Sequence, residues 1–156
     1  MPRWNNNPVD ASLGFPIYDP GMYRIKVKEV KPFVLKLKEN QNPGEESGGV
    51  RALCHFVGGP NHGKPFQIQF WWHNEGGRSF GKSILVPLYG FNADLEGEKA
   101  FDAIAAEKDW NIDPENNTLG DGWTHLVDRE VNAELGIEPQ RNDPNKMQQT
   151  AKYMPV

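Results

Sequence analysis

The stretch Lys64-Pro65-Phe66-Gln67-Ile68-Gln69-Phe70-Trp71-Trp72-His73 decides how this chain is read. Phe66, Ile68, Phe70 and Trp72 fall on one face of an extended segment, and Gln67, Gln69, Trp71 and His73 on the other. A period of two over ten residues predicts a half-buried strand. The first face is large and apolar and is the expected core side, each big side chain adding roughly 1.5–3 kcal/mol when buried. The second face sets an indole among glutamines and a histidine. Core packing does not explain that set, so function is sought there.

Working outward, residues 50–57 alternate in the same way, with Val50, Ala52, Cys54 and Phe56 on one row and Arg51, Leu53, His55 and Val57 on the other. Gly58-Gly59-Pro60-Asn61-His62-Gly63 separates the two strands, which predicts an antiparallel hairpin. Upstream, Tyr23, Ile25 and Val27 alternate with Arg24, Lys26 and Lys28, an amphipathic strand with a basic outer row. Pro32 marks a bulge or a sheet edge, where a missing backbone donor is tolerated. Residues 39–49 read as a polar, glycine-rich loop. Residues 1–20, with Pro2, Pro8, Pro16 and Pro20, read as an extended N-terminal arm that Trp4, Phe15, Ile17 and Tyr18 can pin to the body or to a neighbouring subunit.

Downstream, residues 79–90 suggest a helix capped by Ser79 and interrupted by Pro87. Residues 96–110 suggest a better one, with Ala100, Phe101, Ile104 and Ala105 near helical spacing and acids toward its start. Trp110 and Trp123 flank a loop and read as core. Strands follow over 129–137 and 146–153. The expected architecture is mainly β, an oligonucleotide-binding-like β-barrel over 21–156 with one or two helices inserted before the last strands.

The 156 residues suit one domain with a real core. Cys54 is the only cysteine, so no intramolecular disulfide forms, as in a reducing compartment. Neither a secretory leader nor a run of ~20 apolar residues is visible, so a soluble, cytoplasmic protein without membrane contact is expected. The net charge of −4 is unevenly divided. Residues 1–92 hold 11 Lys and Arg against 7 Asp and Glu; residues 93–156 hold 6 against 14. A basic surface on an acidic protein follows, and the overall sign argues against strong non-specific duplex binding.

Catalytic chemistry finds little footing. Gly58 to Lys64 fits G-x-x-x-x-G-K, but Pro65 stands where Ser or Thr binds magnesium, and a strand follows where a helix should start. His55, His62, His73 and His125 form no metal-ligand spacing. The carboxylates are scattered, and no Ser or Cys sits in a nucleophile elbow. No enzyme, cofactor or metal is therefore expected. A binding surface remains: Arg24, Lys26, Lys28, Arg51 and Lys64 to hold phosphates, Trp71 and His73 to stack bases, and Trp4 as a further contributor. Cations along a backbone track with aromatic faces between them are what sequence-tolerant single-strand binding requires.

Three segments carry a resemblance. Gly21-Met22-Tyr23-Arg24-Ile25-Lys26-Val27, the hairpin ending at 66–72, and the tail Leu126-Val127-Asp128-Arg129-Glu130-Val131 with Tyr153-Met154-Pro155 resemble a family of small phage-encoded proteins of unknown function found beside replication and recombination genes. The resemblance spans roughly 21–156. It implies an oligonucleotide-binding fold that binds single-stranded DNA. Replication or recombination proteins and further copies of the chain are expected as partners, in the host cytoplasm if the chain is phage-encoded. The chain departs from the better-known single-strand binders in lacking an acidic C-terminal tail. The alternative is a structural or adaptor protein that uses the same sheet and the arm for protein–protein assembly.

Overall fold

The computed structural model describes residues 17–36 and 46–156. The arm's residues 1–16, with Trp4 and Phe15, and residues 37–45, which hold most of the loop expected over 39–49, lie outside the described residues. Five strands, β1 (Gly21–Lys36), β2 (Glu46–Phe56), β3 (Pro65–Trp71), β6 (Glu130–Pro139) and β7 (Met147–Met154), form one antiparallel sheet in the order β3-β2-β1-β6-β7. Between β3 and β6 come helices α1 (Glu75–Leu88) and α2 (Leu95–Ala105), the two-residue strands β4 (Ile112–Asp113) and β5 (Thr118–Leu119), and the single turn α3 (Asp121–Thr124).

The protein is mainly β, as expected, but among the described residues strand pairing does not close the sheet: β3 and β7 are its two edges. Tyr18 spans the opening. Its hydroxyl donates to the Pro65 carbonyl at the start of β3 (2.5 Å). Its backbone N–H donates to Gln149 Oε1 on β7 (2.6 Å), and Gln149 Nε2 donates back to the Tyr18 carbonyl (3.1 Å). The Tyr18 ring packs edge-on against Phe56 (4.6 Å). One residue preceding β1 thus ties both free edges to the core.

The core lies on the sheet face that α1 and α3 cover, with Ile25, Val27, Phe56, Phe70, Leu88 and Trp123 almost fully buried. Cys54 belongs to this core, and burial pushes its thiol up to about 12, so it stays protonated at neutral pH. A bulge between Val27 and Glu29 shifts the register of β1 against β2. Before it, Ile25 and Val27 pair with the inward residues Phe56 and Cys54; after it, Val30 and Pro32 pair with inward Ala52 and Val50. One inserted residue therefore flips the phase of the strand, and Lys31 and Phe33 join the outer face beside Arg24 and Lys26. Pro32 is not the bulge. It sits where β6, which pairs with β1 only through Lys26, no longer covers the strand, so the edge expectation holds locally.

Three boundaries differ from expectation. The first four residues of β2, including Gly48 and Gly49, extend the sheet into the predicted loop. Helix α1 starts earlier, capped by Asn74 Oδ1, which accepts from Gly77 N (2.7 Å), and it carries Pro87 inside its last turn. Burial of Ile84, Leu85, Val86 and Leu88 offsets the hydrogen bond that Pro87 removes. Helix α2 stops at Ala105, whose carbonyl accepts from the Trp110 indole (2.9 Å).

Candidate nucleic-acid interface

The register fixes which predicted residues meet. Across the outer face run the rows Lys26–His55–Pro65, Lys31–Arg51–Gln69 and Phe33–Gly49–Trp71. In the last row the middle position has no side chain, so the rings of Phe33 and Trp71 meet over Gly49 at 4.9 Å, edge to face. The Arg51 guanidinium carbon lies 5.0 Å from the Phe33 ring centroid, a cation–π contact. His73, just beyond β3, completes the group with its ring 6.2 Å from Trp71. Trp71 is half-buried, His73 exposed, and Phe33 only 8% exposed beneath them. Arg51 Nε is buried and has no hydrogen-bond partner among the described residues.

Arg51, Trp71 and His73 are thus brought together. Arg24 and Lys26 sit further along the same face against β6, where Arg24 Nε is 3.8 Å from Glu130 Oε1 and Lys26 lies opposite Glu130. Lys28 occupies the bulge and lines a broad depression of about 650 Å³ with Leu53, His55 and His62. Lys64 stays apart, exposed in the hairpin turn where Gly58, Gly59 and Gly63 all adopt positive φ. That turn feeds directly into β3, so it cradles no phosphate in the manner of a helix-terminal loop. The face is not purely cationic: Lys31 Nζ is 3.4 Å from Glu29 Oε1.

Sequence reasoning missed Lys31, Phe33 and Gly49. The unbroken alternation up to Val27 hides the bulge, and only pairing with β2 reveals the phase change.

The inner side of the same strand end carries a second concavity. Trp72 turns toward the helices, where its ring meets Trp123 (4.8 Å) and Trp110 (6.5 Å); Trp123 also meets Trp110 (5.1 Å). Trp123 is fully buried, as expected, but Trp72 and Trp110 are only half-buried. They line a cavity of about 270 Å³ between α1 and α2. Lys82 links the helices, its ammonium 2.8 Å from Asp102 Oδ1 and 3.7 Å from Glu98 Oε1. The hydrogen bond to Asp102 holds that ammonium above its usual range.

Among the described residues no group of three His, Cys, Asp or Glu side chains could hold a metal ion, and no helix is long and apolar enough to cross a membrane. No protein-family model matches the chain, and no curated protein matches it.

Proposed function

We propose that this protein binds single-stranded DNA, without catalysis, on the outer face of β1, β2 and β3. The Phe33–Trp71 pair with Arg51 over it carries the reading: an indole edge and a guanidinium share one open surface with Lys31. A base stacks on Trp71 and His73, Arg51 and Lys31 hold its phosphates, and Lys28, Lys26 and Arg24 continue the track along β1. Lys64 meets the strand at its margin.

The chain order supports the reading. Three meandering strands, a helical insertion, and two closing strands of which the first pairs with β1 make the order of an oligonucleotide-binding fold, left open here between β3 and β7. Such folds bind oligonucleotides across their second and third strands. Arg51 and Trp71 lie on those two strands. A phage origin, DNA exposed in replication or recombination as the target, and the host cytoplasm as the setting complete the proposal.

Titration with oligo-dT at several salt concentrations tests it. Tryptophan fluorescence should be quenched at low salt, and log K should fall with log salt by roughly 0.7 per neutralised phosphate. Absence of binding at low salt, or binding indifferent to salt, overturns the proposal.

A further inference from the structure

We propose that one nucleobase of the bound strand leaves the outer face at His73 and seats in a pocket at the rim of the sheet, where β1 and β2 meet β4. This deepens the single-strand reading and rests on it.

The pocket holds about 200 Å³, and its lining includes Phe33, Val34, Gly49, His73, Ile112 and Pro114. Ile112 packs against the core, which holds β4 in place as a wall. Three observations carry the proposal. The first is position. Phe33, Gly49 and His73 belong both to this pocket and to the outer aromatic group. The Lys31–Arg51 row lies two residues away along the same strands, roughly 7 Å at 3.3 Å per residue. One nucleotide can therefore keep its phosphate on that row and its base in the pocket.

The second observation is the chemistry of the wall. No charged side chain stands among its described residues, so it suits a neutral group and offers a phosphate no partner. Asp113, between Ile112 and Pro114, is turned to its own hairpin, accepting from Asn116 N (3.2 Å) and Nδ2 (2.8 Å). The volume falls below the roughly 300–1,000 Å³ of pockets that take drug-sized ligands, so it takes one ring system and not a whole nucleotide. The third is a donor. Asn74 Oδ1 accepts from Gly77 N (2.7 Å), so its amide nitrogen donates to His73 Nε2 (3.1 Å). A neutral His73 then carries its proton on Nδ1, which is the donor left for an acceptor on the edge of a base. A base can enter such a pocket only when it is free of a complementary strand.

The test compares oligo-dT with an abasic deoxyribose-phosphate oligomer of the same length. The Ile112 methyl resonances should shift with oligo-dT and not with the abasic oligomer. Val34→Trp fills the pocket from β1, at a position 39% exposed, and should weaken oligo-dT by about fivefold or more, the lower end of what one stacked base contributes. The slope of log K against log salt should stay as in the parent, because no phosphate contact is lost. His73→Phe keeps a ring but removes the donor and should weaken oligo-dT by about twofold to tenfold. If Val34→Trp does not fold, Pro114→Trp, in an exposed turn, serves in its place.

Oligo-dT that binds with unmoved Ile112 methyls, or binds Val34→Trp as it binds the parent, overturns the pocket and leaves the single-strand reading standing. An equal loss of both oligomers in Val34→Trp also overturns it, because the substitution then acts on the phosphate track. Absence of oligo-dT binding at low salt overturns the single-strand reading itself.

Discussion

Trp71 and Trp72 are neighbours in the chain and belong to two different surfaces. Trp71 ends the outer row of β3, beside Arg51 and over Gly49. Trp72 points to the other side of the sheet, onto Trp123 and the helix cleft. The strand period separates them: Lys31 and Arg51 stand on the outer face with Trp71, whereas Glu75, Arg78, Lys82 and Asp102 line the cleft beside Trp72. Adjacent side chains of one type thereby meet different chemical surroundings.

The largest expected effect breaks the inner side alone. Trp123 is 0% exposed and touches Phe70, Trp72 and Trp110. Trp123→Ala should reduce stability by about 3–5 kcal/mol, read in a urea melt. A loss below 1 kcal/mol would mean that the helices do not depend on the sheet for their packing.

Gly49→Ala attacks the outer side. A Cβ there would stand 1.7 Å from the Phe70 carbonyl oxygen and 2.8 Å from Trp72 N, both backbone atoms that cannot swing away. The strands must part, so a loss of about 1–3 kcal/mol is expected, with the Phe33–Trp71 contact disturbed. The readout is near-ultraviolet circular dichroism of the indoles, and an unchanged spectrum with unchanged stability contradicts the placement of Gly49.

Trp71→Ala should separate binding from folding. Half-buried on an open face, Trp71 should contribute little to the melting temperature, yet its loss should weaken oligo-dT by about 1–3 kcal/mol, roughly fivefold to 150-fold. Size-exclusion chromatography of the same variant addresses the adaptor alternative. Loss of assembly with unchanged oligo-dT affinity would move Trp71 from a nucleic-acid face to a protein interface.

How much of this was legible in the sequence follows from where local pattern suffices. The hairpin of β2 and β3 is readable because alternation and a glycine turn are both local, and the inward set Phe66, Ile68 and Phe70 is buried as read. The outer cluster is only half readable. Arg51, Trp71 and His73 are visible as outward residues, but Phe33 enters their group through a bulge that no composition marks, and Gly49 through a register that puts a loop-like glycine pair inside a strand. Trp72 and Trp110 read as core because large apolar residues usually are. Their partial exposure depends on how α1 and α2 pack, which is a tertiary fact. The closed curl expected of a small sheet is likewise a matter of global geometry, and here Tyr18 and Gln149 bridge what strand pairing leaves apart.

The smallest effect belongs to protons on the helix side. His125 follows α3 and lies against the Tyr89 ring (4.9 Å). Desolvation lowers its pKa first, the nearby Lys108 and Arg129 charges lower it further, and Asp121 partly opposes them. The folded protein therefore takes up this proton at lower pH than the unfolded chain, whose histidine titrates near 6.5. Above about 6.5 the contribution of the neutral ring is fully present; as pH falls below that value the unfolded state binds the proton first, and stability declines. Because the ring is largely open to solvent, screening keeps the contribution under about 1 kcal/mol. His125→Gln should flatten this part of the profile, so melting temperatures of the parent and the variant should converge or diverge only between pH 7.5 and 5, with the parent falling faster. A variant that falls as fast as the parent would show that acid sensitivity arises elsewhere.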